Sequence, residues 1–281
     1  MDIRPLVEGL EKLTAKENAP QEGDYVENGL WYCGKCHTPK QCRIEIFGAV
    51  KFPFCLCKCG KEAREASEKE AEREQEQQRI RSVRNSGFSD AGMVKLTFDQ
   101  DDGSNPKLSE VARRYVENFA EMLKRGKGLL LFGSVGTGKT FAACCIANAL
   151  IDQGYSCMVT NFARLVNTLM SCDDRQGYID SLNWFDLLVI DDLAAERQTE
   201  YMQECVTNII DARYRAGKPL IITTNLTADE LKNPADMQRK RVYSRLFELC
   251  VPFEVGGIDR RKEALKRDYS ELQGLLGIKG D

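Results

Sequence analysis

The stretch LLLFGSVGTGKTFAA, residues 129 to 143, limits what this chain can fold into more than any other. An apolar run ends in GSVGTGKT, Gly133 to Thr140, which fits G-x-x-x-x-G-K-[ST], and a helical pattern follows. That pattern works only as a turn between a strand and a helix. There the backbone N–H groups of Gly133, Ser134, Gly136, Thr137 and Gly138 can turn inward around phosphate oxygens, and the helix adds its positive N-terminal end. Lys139 is then expected to reach the β and γ oxygens of a nucleoside triphosphate, and Thr140 to offer its hydroxyl to Mg²⁺.

The surrounding sequence supplies the rest of such a fold. From Leu108 onward, helical periodicity alternates with short β-branched or leucine runs, the mark of a parallel sheet with crossover helices. Strands are expected at residues 129–132, 157–160, 187–190, 220–223 and 251–255, with helices near 140–153, 162–171 and 199–216. Gly154 and Gly217 fall where a helix end wants positive φ. In FDLLVIDDL, an apolar strand delivers Asp191 and Asp192 to its C-terminal end, where ligands sit in parallel sheets. Asp191 is placed to hold Mg²⁺ through water and Asp192 to orient the attacking water. KPLIITTNL ends in Asn225, whose amide can sit between the γ-phosphate and that water, or can serve as a cap or turn residue. A polar-ended strand beside the Asp191 strand describes the ATPases in which an extra strand separates the phosphate loop from the acidic one.

The chain has 281 residues, enough for a full core, and no run of eighteen apolar residues. MDIRPLVEGLEKL lacks the basic-then-apolar order of a signal peptide, so a cytoplasmic, membrane-free protein is expected. Ile3, Leu6, Leu10 and Leu13 suggest a short amphipathic helix. A net charge of −3 gives no sign of a nucleic-acid partner. Of twelve cysteines, six lie between Cys33 and Cys59. C-x-x-C at Cys33 and Cys36, followed by C-x-C-x-C at Cys55, Cys57 and Cys59, can close a tetrahedral thiolate site, for which zinc is the natural ion. Cys33, Cys36, Cys57 and Cys59 are the favoured ligands, with Cys55 or His37 as substitutes and Cys42 as a spare. The absence of a surrounding βαβ pattern disfavours a redox role. Residues 61 to 87 are almost wholly charged, Gln or Ala, a solvated linker helix with no stripe for a core.

GSVGTGKT, LLVIDDLAAE, KPLIITTNL and RVYSRLFELC, in this order, resemble the AAA+ ATPases of the DnaC/DnaI helicase-loader family, which includes the IstB transposition helpers. The resemblance covers roughly residues 95 to 270. It implies an α/β fold, an AAA+ P-loop NTPase with a five-stranded parallel sheet, here preceded by a small zinc-binding module and a charged linker helix. The divisions expected are 1–60 for the partner-binding module, 61–90 for the linker and 91–281 for the ATPase domain. It further implies subunits that assemble with ATP at their interface. Arg245 is then the arginine finger for a neighbour's γ-phosphate, with Arg241 one turn earlier, a role suited to a planar, always charged group. GGIDRRKEAL resembles the nucleotide-sensing motif, with Arg261 or Arg260 as sensor, although the family usually shows Ser where Asp259 stands. Asp192 stands where AAA+ ATPases at large more often have Glu, although this family frequently carries the Asp-Asp pair, and its shorter side chain implies slow, switch-like hydrolysis. By resemblance the amino-terminal module grips the replicative DNA helicase, and the ATP-bound subunits engage single-stranded DNA around residues 162–175. That stretch carries only Arg164 and Arg175, and Leu165, Val166 and Leu169 read equally as a core stripe. Loading of the helicase is the leading function, and a helper of transposition the alternative.

Overall fold

In a computed structural model of the chain, residues 19–46, 49–193, 200–234, 236–262, 269 and 275 are described. The chain divides into two units, Met1–Gln78 and Arg79–Asp281. The amphipathic pattern of Ile3 to Leu13 lies outside the described residues.

The first unit contains two antiparallel hairpins, β1 (Tyr25–Glu27) with β2 (Leu30–Tyr32), and β3 (Ile44–Ile46) with β4 (Ala49–Lys51). The first turns through Asn28 and Gly29, both at positive φ (51° and 80°), the pair that a two-residue hairpin loop matching the strand twist requires. Helix α1 (Lys58–Gly87) begins three residues before the expected charged segment, so Cys59 lies in its first turn. Its described side chains in the middle of the run are exposed, as a sequence without an apolar stripe dictates.

The second unit is an α/β sandwich around five parallel strands: β5 (Gly128–Phe132), β6 (Cys157–Asn161), β7 (Leu187–Asp191), β8 (Leu220–Thr224) and β9 (Cys250–Glu254). Their spatial order is β6-β7-β8-β5-β9, so β8 stands between the phosphate-loop strand and the acidic strand, as expected. The period of two along each strand sorts side chains to opposite faces. Leu130, Leu188, Ile190, Leu220 and Ile222 join one core with α5 (Phe162–Ser171), α6 (Arg175–Leu182), α7 (Glu200–Ala216) and α9 (Met237–Leu249). Leu129, Leu131, Leu187, Val189 and Ile221 join the other with α2 (Pro106–Glu117) and α4 (Lys139–Asp152). Two short helices, α3 (Phe119–Arg125) and α8 (Ala228–Lys232), complete the unit.

Two glycines show why the chain needs them. A Cβ on Gly128 would lie 1.8 Å from the Leu220 carbonyl oxygen, and Gly217 ends α7 at φ 61°. Among the described residues no helix is long and apolar enough to cross a membrane.

Candidate functional site

The phosphate loop joins β5 to α4 with Gly133, Gly136 and Gly138 at φ 120°, 75° and 96°. These left-handed conformations aim successive N–H groups inward, and side chains there would be strained. A cleft of about 390 Å³ opens over the loop, walled by Val135 to Phe141, Asp192, Asn225, Arg260 and Arg261, with Leu96 and Gln100 behind. Lys139 is buried and folds back on its own loop, donating to the carbonyls of Gly133 (2.8 Å) and Ser134 (2.6 Å). Burial lowers its pKa, an effect opposed by the nearby Asp192 and Asp191 carboxylates. An ammonium held by neutral carbonyls at the mouth of a phosphate cradle is poised to exchange them for anionic oxygens.

The acidic pair is divided by environment. Asp191 is buried and its carboxyl is pushed up, chiefly by desolvation, against the stabilising hydroxyls of Thr223 and Thr140. Thr140 Oγ1 donates to Asp191 Oδ1 at 2.8 Å, which ties the end of the phosphate loop to the end of β7. Asp192 is exposed at φ 54°, one of the non-glycine residues in left-handed backbone, and projects into the cleft. A divalent cation fits this donor set: a hydroxyl and a carboxylate meet at the loop's end, with a second carboxylate beside them.

Arg260 and Arg261 lie in a turn of helix that closes the same cleft. Arg260 donates its backbone N–H to Gly136 O (3.0 Å), and its guanidinium stands over Gly138 and 3.3 Å from Asp102. Arg261 is close enough to disfavour the Lys139 charge and to favour ionisation of Asp191. Asp259 packs its carboxylate against Gly136, where a Cβ would meet it at 2.0 Å.

Arg245 is not brought to this cleft within one chain. It stacks over the Tyr214 ring at 4.6 Å and pairs with Asp211 (3.4 Å) and Glu248 (3.7 Å), beside Lys240 and Arg241 in a groove of about 680 Å³ between α7 and α9. The stretch 162–175 packs Leu165, Val166 and Leu169 into the core, so its apolar stripe is structural. Arg164 bonds Ser89 O (2.5 Å) and Arg175 stacks on Tyr201 (5.5 Å).

In the first unit, the sulfurs of Cys33, Cys36, Cys57 and Cys59 all lie within 4.8 Å of one another. Cys59 Sγ stands 3.6 Å from that of Cys33 and 3.4 Å from that of Cys57. A tetrahedral ion with bonds of about 2.3 Å places its sulfurs about 3.8 Å apart, so the cluster has the size of a zinc cage. Proton affinities follow from the crowding. Cys36 is drawn down to about 5, first by the Cys59 backbone amide and then by Thr38, while three neighbouring thiols push Cys59 up to about 12. His37 instead meets Tyr25 (3.2 Å), and neither His37, Cys42 nor Cys55 joins the four.

Some supporting residues carried no signal in the sequence. Asp24 accepts N–H bonds from Gly34 (3.0 Å), inside the C-x-x-C turn, and Gln21 (2.8 Å), and pairs with the buried Lys40 at 2.6 Å. Those bonds hold its carboxyl down to about 2, led by the Gln21 amide. The cleft wall of Leu96 and Gln100 carries no signal either, because Leu96 caps one short 3₁₀ turn and Gln100 ends the next, which leaves no periodicity.

Comparisons with known proteins agree with this geometry. Residues 67–250 match the family model of IstB-like ATP binding proteins. The chain is 27% identical over 200 residues to the replicative helicase loader DnaI of Bacillus subtilis (strain 168), covering 66% of this chain and 64% of that one. It is 27% identical over 125 residues to the replicative helicase loader DnaC of Escherichia coli (strain K12), covering 43% and 50%. The chain thus spans less than two thirds of the length of these curated relatives. A crystal structure of the DnaC helicase loader superposes with a TM-score of 0.52 at 26% identity, covering 59% of this chain and 100% of that one. A crystal structure of DnaI does so with 0.52 at 22%, covering 61% and 98%, a likeness of fold. The second unit therefore has the AAA+ fold that the motifs implied.

Proposed function

The chain belongs to the family of IstB-like ATP-binding proteins, and from that premise we propose that it is an ATP-driven switch that loads a replicative DNA helicase onto single-stranded DNA. The observation that carries this reading is the convergence of Lys139, Thr140, Asp191, Asp192 and Asn225 on the phosphate-loop end of a unit similar to two replicative helicase loaders. Lys139 leaves the Gly133 and Ser134 carbonyls for the β and γ oxygens, while Gly133 to Thr140 receive the phosphates on backbone N–H groups. Thr140 and, through water, Asp191 would hold Mg²⁺, which would neutralise charge between those phosphates. Asp192 orients the attacking water, and Asn225 senses the γ-phosphate. Arg261 reads the bound nucleotide from within the chain.

Arg245 acts on an adjacent copy, which accounts for its separation from its own cleft and for an assembly built through the ATP interface. The short reach of Asp192 makes turnover slow, so the nucleotide serves as a timer. Cys33, Cys36, Cys57 and Cys59 hold a structural Zn²⁺ that folds the amino-terminal unit, and that unit grips the helicase. A transposition helper would use the same ATPase unit but leaves the cysteine module without a task.

The test is delivery of purified helicase to protein-coated single-stranded DNA, read as unwinding. Wild type with ATP is expected to start unwinding, and Lys139→Ala to fail. Mixing Lys139→Ala with Arg245→Ala chains rebuilds some complete interfaces and restores part of the ATP turnover. Unwinding that starts equally well without the protein, or with Lys139→Ala, contradicts the reading.

A further inference from the structure

Thr223 lies in β8, two residues before Asn225, and is fully buried. Its hydroxyl touches both members of the acidic pair. Oγ1 accepts the backbone N–H of Asp192 at 3.0 Å and stands 2.5 Å from Asp191 Oδ1. A backbone N–H can only donate, so the single hydroxyl hydrogen is left for Asp191. The order of donation is thereby fixed: Asp192 N–H to Thr223, and Thr223 O–H to the Asp191 carboxylate. The same strand grips the next residue, with Leu193 N–H on Thr223 O (2.9 Å) and Thr224 Oγ1 on Leu193 O (2.7 Å).

This grip falls where the backbone needs it. Asp192 at φ 54° occupies a left-handed conformation that side-chain-bearing residues adopt sparingly and that persists when its surroundings over-determine it. Resting on the ATPase reading given above, we infer that Thr223 is the positioning residue of this site: its one hydroxyl fixes the Asp191 carboxylate and the Asp192 backbone together, coupling both to the strand whose C-terminal end leads directly into Asn225. A γ-phosphate contact at Asn225 is then transmitted along two residues of β8 to the cation-holding and water-orienting acids at once. Thr140 addresses the same Asp191 oxygen from the first turn of α4, so that carboxylate is the meeting point of the phosphate-loop helix, β7 and β8.

The test compares Thr223→Val, which keeps the shape and loses the hydroxyl, with Thr223→Ser, which keeps the hydroxyl, in the full chain. For Val, kcat is expected to fall about 10- to 100-fold, the scale on which misplacing reactive groups acts. The Mg²⁺ concentration for half-maximal turnover rises, and the KM for ATP at saturating Mg²⁺ stays within about twofold, because the phosphate cradle is untouched. Ser is expected to behave close to wild type in all three readouts, and it still decides the matter if the Val chain does not fold. Wild-type kcat and Mg²⁺ dependence in Val, or a Ser variant as impaired as Val, overturns the inference. If wild type hydrolyses no ATP, the ATPase reading fails separately. The Mg²⁺ dependence of binding a fluorescent ATP analogue then tests Thr223, a curve unchanged in Val counting against it and a weakened one in favour.

Discussion

Among described residues 19–57 the buried side chains are Cys33, Lys40 and Cys57, whereas the unit built on β5 to β9 buries a continuous apolar layer on each face of its sheet. With Cys59 from the first turn of α1, the first region gathers four thiols and a buried ion pair where the second gathers leucine, isoleucine and valine. Burial of apolar area at about 25 cal/mol per Å² can hold the sheet unit, and among the described residues the hairpins bury nothing comparable. On the reading proposed above, two regions of one chain depend on different agents, one on an ion that four clustered thiols would hold and the other on its own hydrophobic periodicity. The difference teaches where each is vulnerable.

Removing the metal breaks that comparison hardest. Cys57→Ser, or a strong chelator, is expected to unfold the hairpins, since structural zinc contributes on the order of 10 kcal/mol. The thermal transition of the sheet unit stays in place, as calorimetry of the full chain can show. Next in size, Lys139→Ala lowers ATP turnover by about 100-fold or more, the scale of losing one preorganised charge-stabilising donor. Metal content, measured by elemental analysis, does not change.

Asp24→Asn sharpens the comparison within the first region. The Asn side chain loses the ion pair to Lys40, and the anchor on Gly34 weakens with it. Metal retention against a competing chelator is expected to fall about 10- to 100-fold, as for other residues that orient metal ligands.

The smallest effect concerns Asp191. Burial raises its carboxyl above the ordinary value, so the folded unit binds that proton more tightly than the unfolded chain does. The resulting stability is present at acid pH and is lost as the pH climbs through the raised value. Asp191→Asn is therefore expected to raise the melting temperature of the nucleotide-free protein slightly at neutral pH. The gain disappears below the carboxylate range.

What the residues revealed in advance follows the same division. The central strands are legible to within a residue because they are short, largely apolar runs that alternate between two cores, as Leu129 to Phe132 illustrates. The phosphate loop was legible because its glycines answer a backbone demand. The four clustered cysteines were legible because ligand spacing is itself a geometric statement. Contacts between residues far apart in sequence were not. Thr223 on Asp191 and Lys40 on Asp24 are single polar side chains whose partners only the fold selects. The start of α1 was missed because Lys58 to Gly60 read as part of the cysteine run, although the helix itself supplies Cys59.

The most direct measurement is capture of the replicative helicase on immobilised full-length chain, with and without ATP, for wild type, Cys57→Ser and Lys139→Ala. If the metal-held unit grips and the nucleotide unit times release, Cys57→Ser loses the helicase while still binding a fluorescent ATP analogue. Lys139→Ala keeps the helicase and no longer responds to ATP. Helicase retained in full by Cys57→Ser after its metal is gone would contradict that division of labour.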